Sequence, residues 1–196
     1  MEIVKKTIKN DETFLRQISK PVDLTNEDYK EIINVLKKFC INRERALAIA
    51  SVQLGIPQRL IYVKKSDLNR LNEEYDEAKI LINPTIIKQE GLTRYWETCA
   101  SCLDYMGLVE RPYKITVEYY DVDKKKHIEK FIGFESTVLS HEIDHLDGIL
   151  HIDKSLEIYN MPVEQRDIFR KTHGYEIIKE SGKFEPSKDK IKKFVR

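Results

Sequence analysis

Alternation of apolar and polar side chains is cleanest over residues 113–122, where Ile115, Val117 and Tyr119 share one face. A period of two predicts a half-buried strand, and Asp121-Val122-Asp123-Lys124 predicts a hairpin turn into a second strand at 127–132. Residues 59–63 and 79–84 are short apolar runs that also read as strands. Segments 85–89 and 93–96 read as two more, bracketing a turn at Glu90-Gly91. Earlier the period changes to that of a helix. Tyr29, Ile32, Ile33, Val35, Leu36 and Phe39 form one stripe of a helix over 26–40, with Thr25 as its N-cap. Helical spacing returns over 162–171 and near 175–179, until Gly182 breaks it. Weaker signals give an extended arm at 2–8, a short helical piece around 12–19, a charged break at Arg43-Glu44-Arg45 and an exposed loop or short helix over 67–77.

Two stretches fit neither plain pattern. Residues 46–57 are small and apolar around one polar side chain, Gln53, whose amide must bond either nearby backbone or a substrate oxygen. After Gly133, a helix begins in which Val138, Leu139, Ile143, Leu146, Ile149 and Leu150 surround His141-Glu142-Ile143-Asp144-His145. Such apolar surroundings predict a buried helix and buried histidines.

Composition narrows the class. With 196 residues, 34% charged and 41% apolar, the chain suits one disulfide-free domain, placed at 1–182, with a lysine-rich tail at 183–196. That tail reads as disordered or as a terminal amphipathic helix, and less readily as a basic handle for an anionic partner such as ribosomal RNA. A net charge of +1 makes no overall case for DNA or an anionic membrane. No apolar run approaches the ~20 residues of a membrane-spanning helix, and the N-terminal residues lack a signal-peptide apolar region. Three cysteines, Cys40, Cys99 and Cys102, are too few for a disulfide framework. A cytoplasmic monomer is the expectation.

The candidate chemistry starts on the buried helix. Residues four apart share a helix face, so His141 and His145 can present two imidazoles to one metal ion. Glu142 sits beside them, where its carboxylate can take a proton from a water activated by the ion without being a ligand. Asp144 and Asp147 are candidates to accept a ligand histidine's free ring N–H. A catalytic site needs a third protein ligand. Cys40 ends an amphipathic helix and is read as structural, leaving Cys99 and Cys102; Cys plus two His is a recognised open catalytic set. One cysteine should bind and the other should pack.

Three blocks, in order, resemble peptide deformylase over most of residues 1–155: residues 46–53, Glu97-Thr98-Cys99-Ala100-Ser101 and His141 to His145. Their counterparts in that family are G-x-G-x-A-A-x-Q, E-G-C-x-S and H-E-x-x-H, and Arg111-Pro112 and Leu146-Asp147-Gly148 fit the same pattern. The resemblance implies an α+β fold with mixed antiparallel β-sheets around a central helix carrying H-E-x-x-H, here with a C-terminal helical extension. It assigns the third ligand to Cys99 beside His141 and His145. It implies Fe(II) as the usual metal, with zinc, nickel or cobalt able to substitute. The implied reaction removes the N-formyl group from formyl-methionine of nascent peptides, with Glu142 moving protons and Gln53 and the Ala100 backbone N–H stabilising the oxyanion. Glu97 is expected to pair with Arg111, and the basic tail to give at most weak ribosome association.

Departures from the family pattern fall on the substrate side. Ala46 and Ala48 replace glycines, Ser51 replaces alanine and Thr98 replaces the glycine of E-G-C, so added Cβ atoms should narrow the cleft or redirect its backbone. Tyr95, Trp96, Phe134, Thr137 and Val138 are expected to line the methionine pocket, aromatic where the family tends to be aliphatic. Altered substrate preference follows as an expectation. A zinc metallopeptidase and a catalytically silent metal-binding homologue remain as alternatives, because H-E-x-x-H alone is shared more widely.

Overall fold

The computed structural model describes residues 5–41, 43, 46–64, 78–187 and 193–195. The start of the expected arm, most of the charged break at 43–45, the 67–77 segment and much of the tail lie outside the described residues. Helix α1 (Glu12–Leu15) is a single turn whose N-cap, Asp11, accepts the Phe14 N–H. Helix α2 (Tyr29–Ile41) starts later than its stripe predicts. Thr25 does not cap it, because its N–H and hydroxyl both donate to Asp23 Oδ1 in a local turn that competes with the helix.

The strands are β1 (Ala48–Ala50), β2 (Leu60–Val63), β3 (Lys79–Thr98), β4 (Tyr105–Arg111), β5 (Lys114–Tyr120), β6 (Lys126–Ile132), β7 (Ser155–Asn160), β8 (Glu176–Lys183) and β9 (Lys193–Val195). Among the described residues they join into one sheet, antiparallel except where β9 pairs with β7. Helices α3 (Phe134–Leu146), α4 (His151–Lys154) and α5 (Val163–His173) complete an α+β fold. A single turn of 3₁₀ helix, Ser51–Leu54, carries Gln53.

Strand β3 corrects the expected turn at Glu90-Gly91. It runs unbroken for 20 residues, and Gly91, at φ +74°, is a bulge where the register against β8 shifts. Bulges bend a strand without ending it. Before the bend β3 pairs with β2 and β5; after it, Thr93 to Thr98 pair with β4. Residues 176–179, expected as helix, are instead the start of β8. Their adjacent Ile177 and Ile178 make no buried stripe, and pairing with Glu90 to Arg94 satisfies backbone groups that an open edge would leave bare. Gly182 lies inside β8 rather than ending the element, and 193–195 are strand rather than helix or disordered tail. The C-terminal extension is therefore one helix, α5, followed by strands.

Alternation then decides the core. Ile49, Leu60, Tyr62, Ile80 and Ile82 face α2, where Tyr29, Leu36 and Phe39 cover them. Their neighbours Ala50, Ile61 and Leu81 turn the other way, and with Ile115, Val117 and Phe131 they pack on Leu139, Ile143 and Leu146 of α3. Each fully buried aliphatic side chain stabilises the fold by about 1.5–3 kcal/mol. The sheet between two helices thus fixes the position of α3, and Gly148 ends that helix at φ +73°, its N–H on the His145 carbonyl.

A Cβ at Gly91 would lie 2.6 Å from the Lys179 carbonyl oxygen and 2.7 Å from Tyr113 Cβ. Gly91→Ala should therefore cost about 1–3 kcal/mol in urea denaturation, through both the left-handed backbone and the contact with β8.

Candidate active site

Helix α3 places His141 and His145 one turn apart, with their Nε2 atoms separated by 3.2 Å. Cys99 enters from the turn that follows β3, its Sγ 3.1 Å from His145 Nε2. Within that turn the Ser101 N–H donates to Cys99 Sγ at 3.3 Å, and Gln53 Nε2 donates at 3.4 Å from the 3₁₀ turn. One ligand atom from each of Cys99, His141 and His145 lies within 4.8 Å of the other two. Ligand bonds of ~2.0–2.3 Å put the atoms around one ion roughly 3–4 Å apart, so these buried N and S donors fit one divalent cation. Two buried atoms at this place, His145 Nδ1 and Glu142 Oε2, have no hydrogen-bond partner.

Electrostatics sharpens the set. Burial works against a charged Cys99, but the Cys102 thiol, His145 and His141 outweigh it and hold the Cys99 thiol well below the ordinary cysteine range. Burial raises the Glu142 carboxyl, although both histidines oppose the rise. Glu97 is the reverse case: burial opposes its charge, yet Arg111 and His141 hold it far below the usual carboxylate range. Arg111 grips Glu97 in two parallel bonds, Nε to Oε1 at 2.8 Å and Nη2 to Oε2 at 2.9 Å. His141 Nδ1 stands 2.8 Å from the same Oε2, which turns its Nε2 toward Cys99 and His145.

That orienting place was expected for Asp144 or Asp147. Asp144 instead accepts from Arg111 Nη1 and, at 2.6 Å, from Lys154 Nζ, while Asp147 pairs with Arg59 at 2.6 Å. The long-range carboxylate takes the place because Glu97, held by Arg111, reaches the ring nitrogen, whereas Asp144 and Asp147 are engaged by Arg111, Lys154 and Arg59.

A cavity of about 750 Å³ opens over the cluster. Ala46, Ala48, Gln53, Tyr95, Thr98, Cys99, Ala100, Phe134, Thr137, Val138, His141 and Glu142 all reach its wall, and His145 lies buried behind. Gln53 makes the backbone bond, its Oε1 accepting the Ala50 N–H at 3.0 Å, while Nε2 donates to Cys99 Sγ and Ser101 Oγ. Tyr95 packs edge-on against Phe134, with centroids 5.1 Å apart, and beside Tyr175 at 5.9 Å. Trp96 is a correction. As the next residue on a strand it faces the opposite way, against Phe169 and Tyr159.

The far wall is α5, which contributes Val163, Arg166, Asp167 and Arg170. Arg170 donates to the Trp96 carbonyl and Thr98 Oγ1, and Arg166 to the Met161 and Leu103 carbonyls, so the helix is clasped to the Cys99 turn. Sequence shows the helical spacing of these residues and gives no sign that they close a cavity.

The model of the polypeptide deformylase family matches residues 4–160. The chain belongs to the peptide deformylase family. Its relatives include the peptide deformylase of Pelagibacter ubique, 33% identical over 151 residues, which are 76% of this chain and 85% of that one. The Rhizobium meliloti peptide deformylase is 36% identical over 140 residues, covering 71% and 78% of the two chains. A crystal structure from Synechococcus phage S-SSM7, described as a probable peptide deformylase, superposes with a TM-score of 0.69 at 30% identity, covering 78% of this chain and 99% of that one. Deformylases are metal-dependent amidases that remove the N-formyl group from nascent peptides, and the α+β fold is theirs. Helix α5 and strands β8 and β9 lie beyond the matched residues.

Two outcomes follow from the Glu97 network. Glu97→Gln, which loosens the His141 ring, should weaken metal affinity about 10–100-fold in chelator competition. Because the folded Glu97 carboxyl is lowered from 4.5, its pairing stabilises fully above that pH and is lost as the solution turns acid. Arg111→Met should cost about 3–5 kcal/mol at neutral pH. With the guanidinium gone, burial raises the stranded carboxyl instead, so the variant should regain stability on mild acidification, read by urea denaturation across that range.

Proposed function

We propose that this deformylase removes the formyl group from formyl-methionine at the N-terminus of nascent peptides, with Cys99, His141 and His145 holding one divalent metal and Glu142 as the acid–base group. The observation that supports these roles is the buried, unpartnered Glu142 Oε2 on the cavity wall beside the donor set. A cation in that set supplies Lewis acidity and lowers the pKa of water. Glu142, its proton affinity raised by burial, takes the proton of the attacking water and returns it to the amine nitrogen as the C–N bond breaks. Gln53 Nε2 and the Ala100 N–H donate to the formyl oxygen as it gains charge. An N–H needs no particular side chain, so alanine serves at position 100. Glu97 keeps the His141 ring in register throughout. Thiolate and imidazole suit both iron and zinc; Fe(II) is our assignment in the cell, with zinc, nickel or cobalt as substitutes.

Ala46, Ala48 and Thr98 are our candidates for contact with the peptide backbone, and Tyr95, Phe134, Thr137 and Val138 for the methionine side chain. The Cβ atoms of Ala46 and Ala48 on the cavity wall and the Tyr95–Phe134–Tyr175 cluster support a preference shifted from that of ordinary deformylases. A cytoplasmic monomer with one catalytic domain, carried past its expected limit at residue 182 by the pairing of β9 with β7, and weak ribosome contact through its basic C-terminal residues complete the reading.

Protein purified without oxygen and loaded with Fe(II) or Ni(II) should release formate from a formyl-Met peptide and leave casein intact. Glu142→Ala should lower kcat by about 10²–10⁴ while the metal stays bound; unchanged turnover would remove Glu142 from the mechanism. Ala48→Gly should raise kcat/KM for formyl-Met peptides by about threefold to tenfold, and no change would tell against a narrowed cleft.

A further inference from the structure

Two side chains beside Cys99 have no part in that chemistry. Cys102 closes the turn that Cys99 opens, its N–H donating to the Cys99 carbonyl at 3.1 Å, and its side chain is fully buried. His151 begins α4, is 1% exposed, and neither of its ring nitrogens has a hydrogen-bond partner. Buried imidazoles nearly always satisfy at least one nitrogen, so an orphaned ring asks what it is for. The ring stacks on that of His141, with centroids 5.8 Å apart and planes inclined by 29°.

One ligand atom from each of Cys99, Cys102 and His151 lies within 4.8 Å of the other two, the same bound that holds for Cys99, His141 and His145. The two triangles share one vertex, Cys99 Sγ. We propose that Cys99, Cys102 and His151 form a second metal site, selective for a thiophilic d¹⁰ cation such as Zn²⁺. Two thiolates and one imidazole are a soft donor set that favours zinc over harder ions. Cys99, Cys102 and His151 bring no carboxylate of their own, so the second set has no base for water among its donors. A zinc ion held there draws on the Cys99 thiolate, and excess zinc should lower formate release.

The site shares Cys99 with the proposed function, but its test does not depend on that reading. The variant His141→Ala/His145→Ala lacks the first donor set and keeps the second. With Co²⁺ as probe, it should bind one equivalent with sulphur-to-cobalt charge-transfer absorption in the near ultraviolet, displaced by Zn²⁺. Adding Cys102→Ser or His151→Phe should weaken that binding at least tenfold. No charge-transfer band in the folded double variant, or an affinity unmoved by the added substitutions, overturns the proposal. Should the double variant not fold, X-ray absorption on the wild-type chain loaded with excess zinc decides. An average of more than one sulphur per zinc supports the second site, and one sulphur per zinc excludes it.

Discussion

A guanidinium sealed inside the protein governs the arrangement around the candidate centre. Arg111 is 2% exposed, and its charge is tolerable there only because Glu97 and Asp144 flank it. Those two carboxylates come from different elements, the end of β3 and the last turn of α3. The strand that carries the cysteine turn and the helix that carries the histidines are thus tied through one cation on β4. Apolar packing sets the distance of α3 from the sheet to within a side chain; the ion pairs set its register and, through Glu97, the rotation of the His141 ring.

The other constraint is the continuity of β3. A single strand that pairs with β5 on one stretch and β4 on the next carries chain from the core under α2 to the Cys99 turn without a break. The bend at Gly91 turns the second stretch so that Tyr95 faces the cavity and Trp96 the α5 side. Strand alternation then puts the two neighbouring aromatic residues of that stretch on different surfaces.

Much of this was legible in the residues and some was not, for identifiable reasons. The α2 stripe and the β5/β6 alternation were clear because each has one wet and one dry face. The two histidines, Glu142 and Cys99 were found from spacing and family pattern, and the structure draws them to one place. Gly91 was misread because a turn and a bulge both need a left-handed residue, and only the partner strand distinguishes them. Asp144 and Asp147 drew notice by lying on the motif helix, while Glu97 acts from a distant strand. His151 gave no signal: a histidine between Leu150 and Ile152 looks like ordinary packing until its nitrogens are seen to lack partners. Likewise nothing local says that α5 faces the Cys99 turn, since Arg166 and Arg170 reach backbone carbonyls, which leave no trace in a sequence.

The position of α5 has a consequence for how such a protein can diverge. Every group assigned to the chemistry lies within residues 4–160, the portion shared with the family, whereas one wall of the cavity comes from residues 163–170, beyond it. One wall of the cavity is thus written on a stretch of chain apart from the reacting groups. Replacement of the second stretch would redraw that wall and alter which peptides fit, but it would also remove the Arg170 and Arg166 bonds to the Cys99 turn, so a new C-terminal segment must supply its own clasp if the donor set is to stay in place.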